Sequence, residues 1–378
     1  MSDPRNHLSY RIGNTLINSF KNPLKLFILP YLILKDYLNF KKYLLNTSNQ
    51  STQSNKNIPF KKFLASGFDS DINVLNYLNQ QFIKNNLDSI VINKKLNNIY
   101  EYFSRNENSK LIQNGPLVSV IMGAYNSEQS IGSSIHSILN QTYRNLELII
   151  IDDASTDNTQ EIIKKFILKD KRVKLIINKI NVGTYVSRNY TLKYLTGDFI
   201  TTQDADDWSH PQRIETQLKI LQNNPQILLC HGKAIKFKKE NILKIHNEKN
   251  SYDSFVTIFF KRNILEKLGS WDNVRISADS EFLKRFNYLY GNLAIAKLDH
   301  TLLLMFSHQN NLTNDMITKV GFKLQGDRLK YINNSKIFLS TLTDENELNY
   351  EFPLNRRRFP APNKIIVQSA NIHRNLEI

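Results

Sequence analysis

The chain has 378 residues, with 50 Lys and Arg against 34 Asp and Glu and a formal net charge of +16. That length can bury one large core but favours a central α/β domain with appendages, and the basic balance calls for an anionic partner: nucleic acid, anionic lipid or a phosphorylated substrate. The single cysteine, Cys230, excludes an intrachain disulfide and suits a reducing compartment, and no Cys/His cluster offers a zinc site.

Residues 1–115 show helical spacing, with Leu16, Phe20, Leu24 and Phe27 on one stripe and Tyr31, Leu34, Tyr37 and Leu38 on another. Arg5, Arg11, Lys21, Lys25, Lys35, Lys41, Lys42 and Lys56 face only Asp3 and Asp36 there, and aromatics lie among them. The combination suits a helical region lying on an anionic bilayer, and it suits equally well stripes that dock onto the rest of the chain or a second subunit. The longest apolar run, Leu24 to Leu34, is too short to span a membrane and is interrupted by Pro30. The expected location is therefore cytoplasmic, with the inner face of the membrane as the place where a basic helix would rest. Asn46 to Asn57 is polar and reads as a linker. Helical spacing returns from Ile72 to Phe103, through Leu75, Leu78, Phe82 and Leu87.

The pattern changes at Pro116. Leu117 to Met122 is a buried-strand run, and Ser127 is placed to cap a helix whose core face is Ile131, Ile135, Ile138 and Leu139. A strand over Leu146 to Ile151 leads into Asp152-Asp153-Ala154-Ser155-Thr156-Asp157, and a helix follows with Ile162, Ile163, Phe166 and Ile167. Val173 to Ile177 is the third strand. After Asn181-Val182-Gly183-Thr184 comes a helix with Tyr185, Asn189, Leu192 and Leu195, and then a fourth strand over Phe199 to Thr202. Four β–α repeats predict a mostly parallel sheet with helices on both faces, and ligands bind off the carboxyl ends of such strands.

The fourth strand delivers Asp204-Ala205-Asp206-Asp207. In extended backbone Asp204 and Asp206 leave on the same face, so the two carboxylates can share one hard cation such as Mg²⁺ or Mn²⁺. The alternative is an acidic turn that caps the helix beginning near Pro211. Beyond it, strand-like pieces are expected at Ile227 to His231, Ala234 to Phe237 and Phe255 to Phe260. Ser277-Ala278-Asp279-Ser280-Glu281-Phe282 opens a helix that closes at Gly291.

Taken together, Val118 to Asn126, Ile151 to Asp157, Asn181-Val182-Gly183 with Arg188-Asn189, and Asp204 to Asp207 resemble the family 2 glycosyltransferases. Four ordered motifs are far more specific than any one of them. The resemblance covers about 116–315 and implies a GT-A fold (Rossmann-like α/β), a nucleotide-sugar donor, a divalent metal and inversion at the anomeric carbon. It divides the chain into a helical region 1–115, a catalytic domain 116–315 (donor half 116–210, acceptor half 211–315) and a C-terminal extension 316–378.

By that resemblance, Ala124, Tyr125 and Asn126 line the donor site. Tyr125 holds the nucleobase by its ring face and Asp153 accepts a base N–H, chemistry that suits an aromatic face and a carboxylate. Arg188 reaches base or phosphate, Asp204 contacts ribose or metal-bound water, Asp206 ligates the metal, and His308 is a candidate metal or phosphate contact. Asp279 inherits the role of general base, although Ala278 departs from the acidic pair usual at that place, and Glu281 is the substitute should the register differ. The expected activity moves a sugar from a nucleoside diphosphate, UDP for choice, to a glycan hydroxyl in capsule or lipopolysaccharide synthesis. The rivals are a nucleotidyltransferase, a basic nucleic-acid-binding protein and a non-catalytic scaffold. The first would want a Gly-rich phosphate loop where Gly123-Ala124-Tyr125-Asn126 stands, the second has no use for acidic clusters at three strand ends, and no nucleic acid is expected as partner. Retention of Asp206 and Asp279 speaks against the third.

Overall fold

The computed structural model describes residues 71–92, 103–240, 242–245, 251–307 and 326–376, which belong to one compact unit, Gly67–Ile378. The basic stripes and the linker anticipated before residue 71 lie outside the described residues. Among the described residues, no helix is long and apolar enough to cross a membrane.

Helix α1 (Asp71–Lys84) is followed by two short antiparallel strands, β1 (Ile90–Ile92) and β2 (Phe103–Arg105). Of the helical spacing read from Ile72 to Phe103, the described residues form helix as far as Lys84 and strand at Ile90–Ile92 and Phe103, and residues 93–102 lie outside the described residues. Asn86 takes the left-handed conformation (φ 57°) and Leu87 N–H donates to Phe82 O at 2.9 Å, a bond pattern that closes helix ends and reverses the chain. This appendage packs behind the acidic stretch: the Phe103 ring lies 5.6 Å from that of Trp208, and the Phe82 ring 4.4 Å from that of His210.

The four expected strands and the three helices between them are present: β3 (Val118–Ala124), α2 (Ile131–Leu139), β4 (Leu146–Asp152), α3 (Thr159–Ile167), β5 (Val173–Ile177), α4 (Thr184–Thr191) and β6 (Phe199–Asp204). Their strands pair in parallel in the order β5-β4-β3-β6. β4 is buried along its whole length and β3 at all but one position, which is why both read as continuous apolar runs rather than alternating ones. Ile131, Ile135, Ile138 and Leu139 face the core as their spacing required. Ser127 does not cap α2, however. The helix starts four residues later, and the Ser127 hydroxyl donates to Tyr125 O at 3.0 Å, a local side-chain bond that competes with the cap.

The second half continues with β7 (Asp207–Ser209), α5 (Arg213–Asn223), β8 (Leu229–Glu240), β9 (Ile242–Ile245), β10 (Tyr252–Asp253), β11 (Phe259–Lys261), α6 (Ile264–Leu268), α7 (Ala278–Tyr290) and β12 (Ile295–Ser307). β11 inserts antiparallel between β6 and β8, β12 runs parallel to β8, and β7 closes the sheet antiparallel to β12, while β9 and β10 pair with β8. The two strand pieces expected at Ile227 to His231 and Ala234 to Phe237 are one strand. Gly232 between them is no turn: a Cβ there would lie 2.6 Å from Leu302 Cδ1, so the glycine admits the neighbouring strand. Phe255 to Thr257 forms a 3₁₀ turn rather than strand.

Helices α8 (Gly326–Ser340) and α9 (Ser369–Leu376) complete the described chain. Tyr331, Leu348, Tyr350, Phe359 and Ile365 from this region share one buried cluster with Phe260, Trp271, Phe282 and Phe286. At its centre the fully buried Arg285 of α7 pairs with Glu281 at 2.8 Å and donates to the carbonyls of Leu268, Ser270 and Leu348, with the Tyr350 ring 3.7 Å from its guanidinium. Each carbonyl offsets part of the cost of burying a cation.

At the opposite, amino end of the parallel strands, Glu147 of β4 is nearly buried and accepts from Ser119 Oγ (2.6 Å), Lys174 Nζ (2.8 Å), and both the amide and hydroxyl of Thr196. Burial alone would raise its pKa, but the hydrogen bonds from Lys174, Ser119 and Thr196 together outweigh it and hold the carboxyl at about 2, below its ordinary 4.5. The folded value is the lower one, so this stabilisation is complete above pH 4.5 and is lost as pH falls toward 2. Glu147→Gln should lower unfolding free energy at pH 7 by about 1–3 kcal/mol and flatten the loss of stability between pH 4.5 and 2, as followed by urea titration at several pH values.

Candidate active site

The carboxyl ends of β3, β4 and β6 are level. Ala124 stands beside Asp152 and Gly123 beside Asp204, so Tyr125, Asp153 and the acidic stretch leave the sheet at one edge. Three of the four described non-glycine residues with positive φ border this edge: Asn126 (46°), Ala154 (63°) and Ser277 (64°). Such conformations cost of order 1–3 kcal/mol each and persist where the surroundings impose them.

Tyr125 is half exposed, its ring free of the core. Asn126 N–H donates to Ser155 Oγ and Asn126 Oδ1 accepts from Thr156 N–H, both at 2.9 Å, which ties the β3 turn to the β4 turn. Ala124 O accepts from Asp153 N–H at 2.8 Å. The Asp153 carboxylate is buried and organises the next loop: Oδ1 accepts from Asn178 Nδ2 (2.8 Å) and Val182 N–H (2.9 Å), Oδ2 from Gly183 N–H (2.7 Å). A carboxylate oxygen takes two donors, so Oδ2 has room for one more. Gly183 has φ 83°, a conformation that favours glycine.

Asp204, Asp206 and Asp207 bring their oxygens within 4.8 Å of one another. The convergence differs from the pleated-strand geometry expected of Asp204 and Asp206. β6 ends at Asp204, residues 205–206 form a turn, and β7 begins at Asp207. Gln203 fixes that turn, its amide donating to Asp207 O at 2.9 Å and its Oε1 accepting from Ser209 Oγ at 2.6 Å. Below it, Arg213 is fully buried and bonded to Gln203, Ser209, Thr201, Thr202 and Gln217, all neutral acceptors. Burial lowers its pKa to about 10, while the charges of Asp207 and Asp204 support the cation.

Arg188 of α4, itself buried, reaches the half-buried Asp204 at 2.5 Å with its guanidinium 5.6 Å from the Tyr185 ring centre. Asp207 is pushed well above the ordinary carboxylate range by burial and by the charges of Asp206 and Asp204. Asp204 is raised for the same reasons, against the pull of Arg188, and Asp279 adds to the push. Lys236 of β8 is lowered by burial yet attracted by Asp207 and Asp206. Hard carboxylate oxygens, mutually repelling and only partly neutralised, form a donor set that a divalent cation would relieve.

Asp279, in the first turn of α7, meets this cluster from the other half of the domain. Its charge acts on Asp204, and after burial it is the largest influence raising the Tyr185 pKa. Ala278, the departure from the family pattern, is buried in the core. Glu281 is fully buried against Arg285, and burial raises its pKa, so it faces the core and is no substitute for Asp279. His308 lies outside the described residues.

Sequence reasoning missed four contributors. Tyr185, Arg213 and Lys236 carry no motif signal, since each is recruited by chain pairing rather than by spacing. Asn189 stood in view beside Arg188, and its role is a clamp: Nδ2 donates to Trp271 O at 2.8 Å and Oδ1 accepts from Trp271 N–H at 3.0 Å, both within the core. That pair joins α4 to the loop that leads to Asp279.

A mostly parallel α/β sheet with carboxylates crowded at its carboxyl edge, extended by an antiparallel second half, is the architecture of the GT-A fold. Residues 119–282 match the family described as Glycosyl transferase family 2. Among similar proteins, EpsE of Bacillus subtilis, provisionally named a glycosyltransferase, is 48% identical over 114 residues, 30% of this chain and 41% of EpsE. WfgD of Escherichia coli, named as a UDP-Glc:α-D-GlcNAc-diphosphoundecaprenol β-1,3-glucosyltransferase, is 43% identical over 108 residues, 29% of this chain and 41% of WfgD. The chain thus spans less than half the length of these relatives. Among solved structures, Staphylococcus aureus TarS 1–349 in complex with UDP-GlcNAc overlays with a TM-score of 0.48 at 19% identity, covering 62% of this chain and 71% of that one.

Removing the clamp should be felt in stability. Asn189→Ala leaves the Trp271 amide and carbonyl buried without partners and should cost about 1–3 kcal/mol in a chemical unfolding titration.

Proposed function

We propose that this chain is an inverting glycosyltransferase that moves a sugar from a nucleoside diphosphate sugar, UDP for choice, to a hydroxyl of a glycan acceptor in the synthesis of a bacterial surface polysaccharide such as capsule or lipopolysaccharide. The observation that carries it is the convergence of Asp204, Asp206 and Asp207 at the carboxyl edge of the sheet, within reach of the charge of Asp279 in the first turn of α7. The matches to named glycosyltransferases support the same chemistry.

In this reading Tyr125 covers one face of the nucleobase, and the free lone pair of Asp153 Oδ2 takes a base N–H, with Ala124 and Asn126 shaping the turn. Arg188 keeps Asp204 oriented toward the ribose and adds positive charge beside the phosphates. Asp206, with Asp204 and Asp207 beside it, would hold Mn²⁺ or Mg²⁺, which when bound neutralises charge on the diphosphate. Asp279 takes the proton of the attacking hydroxyl as its oxygen bonds to the anomeric carbon. The sugar–phosphate bond breaks on the opposite side, and its electron pair leaves with the diphosphate. One displacement inverts the centre, and no covalent enzyme intermediate is needed.

Two substitutions test the assignment. Asp206→Ala should keep the fold, since the side chain lies at the rim, yet lose Mn²⁺-dependent binding of UDP in calorimetry; undiminished binding would remove Asp206 from the metal site. Asp279→Asn keeps size and hydrogen bonding, so the donor dissociation constant should stay near wild type while kcat falls roughly 10²- to 10⁴-fold. A kcat near wild type would exclude Asp279 as the base.

A further inference from the structure

The segment 348–376 grips both loops that frame the site. On the Asp279 side, Ser270 N–H donates to Tyr350 O (2.7 Å) and Tyr350 N–H to Leu268 O (3.0 Å). Arg357 binds Asp272 with both terminal nitrogens (3.0 and 2.6 Å), Arg275 N–H donates to Ile365 O (2.8 Å), and Val367 N–H to Asn273 O (3.0 Å). On the Asp153 side, the Tyr190 hydroxyl donates to Ile372 O at 2.7 Å. Asn375 Oδ1 accepts from the amides of Lys179 (2.7 Å) and Ile180 (3.1 Å), and its Nδ2 donates to Ile180 O (3.1 Å). Val367 and Ile372 pack with Ile151, Val182, Val186 and Tyr190.

The loop at 178–183 is therefore held from three directions. Asp153 receives Val182 and Gly183 from within, Arg275 bonds Asn181 Oδ1 at 2.8 Å from the side, and Asn375 fixes the preceding peptides from outside. Resting on the donor-site assignment above, we propose that α9 is a positioning element of the nucleobase site: Asn375 holds residues 179–180 so that the Val182 and Gly183 amides stay on Asp153 and its remaining lone pair faces the base of a nucleoside diphosphate. A loop fixed before the ligand arrives need not be ordered on binding, so the benefit falls on donor affinity rather than on the chemical step.

The test compares the full chain with Asn375→Ala, Asn375→Asp and Tyr190→Phe, using UDP as probe. Three quantities are read: amide exchange at residues 178–183, the UDP dissociation constant and kcat. Losing the bonds of Asn375 should speed exchange at Val182 and Gly183 and weaken UDP binding, each by about tenfold, with kcat within about twofold of wild type. Asn375→Asp, which keeps the two accepted bonds, should recover most of the affinity. Unchanged exchange at Val182 and Gly183 together with unchanged UDP affinity would overturn the proposal and leave α9 as packing alone. Should Asn375→Ala fail to fold, Tyr190→Phe, which removes only the bond to Ile372 O, must still weaken UDP binding, and unchanged affinity there would overturn it. A wild-type chain that binds no nucleoside diphosphate would sink the donor assignment and this role with it, whereas a loop that ignores Asn375 while wild type binds UDP sinks only the role of α9.

Discussion

Repulsion among Asp204, Asp206, Asp207 and Asp279 is the constraint around which the rest of the domain is arranged. Like charges gathered in this way cost energy unless cations stand near, and they help raise the pKa of Asp204 and Asp207. The protein supplies them by three routes: Arg188 from a helix flanking the sheet, Lys236 from a neighbouring strand, and Arg213 from beneath the turn. Arg213 is the telling one. It is bonded only to neutral oxygens, so it screens the cluster without occupying any carboxylate oxygen.

A site assembled from two halves also needs those halves fixed to each other. Here the work is done in the core rather than at the rim. Asn189 holds the backbone of Trp271, Arg285 gathers the carbonyls of Leu268, Ser270 and Leu348 around its ion pair with Glu281, and Asp272 takes a bidentate bond from Arg357. Buried ion pairs of this kind add little net stability but are costly to break on one side. They make a wrong arrangement of the loop before Asp279 expensive.

Local periodicity made the first half of the fold legible. Continuous apolar runs marked β3 and β4 because both faces of those strands are covered, and the spacing of Ile131, Ile135 and Ile138 marked the buried side of α2. The residues carrying the family likeness, Tyr125, Asp153, Arg188, the acidic stretch and Asp279, converge on one edge. What was illegible depends on partners distant in sequence. The strand through Gly232 was read as two pieces because the neighbour that the glycine admits, Leu302, is seventy residues away. Glu281 could be separated from Asp279 only once Arg285 was seen to draw it into the core. Nor can local sequence pair Arg357 with Asp272, 85 residues distant along the chain.

The bonds from Asn375 to the loop at Lys179 span 196 residues, and contacts that distant cannot form until the later segment exists. During synthesis the parallel strands β3 to β6 can assemble as the chain emerges, whereas the loop at 178–183 lacks its outer partner until residue 375 has been made. An unfinished chain would thus carry Tyr125, Asp153 and the acidic cluster without the framework that holds them in register. Competence would arrive late and all at once, with the last described helix.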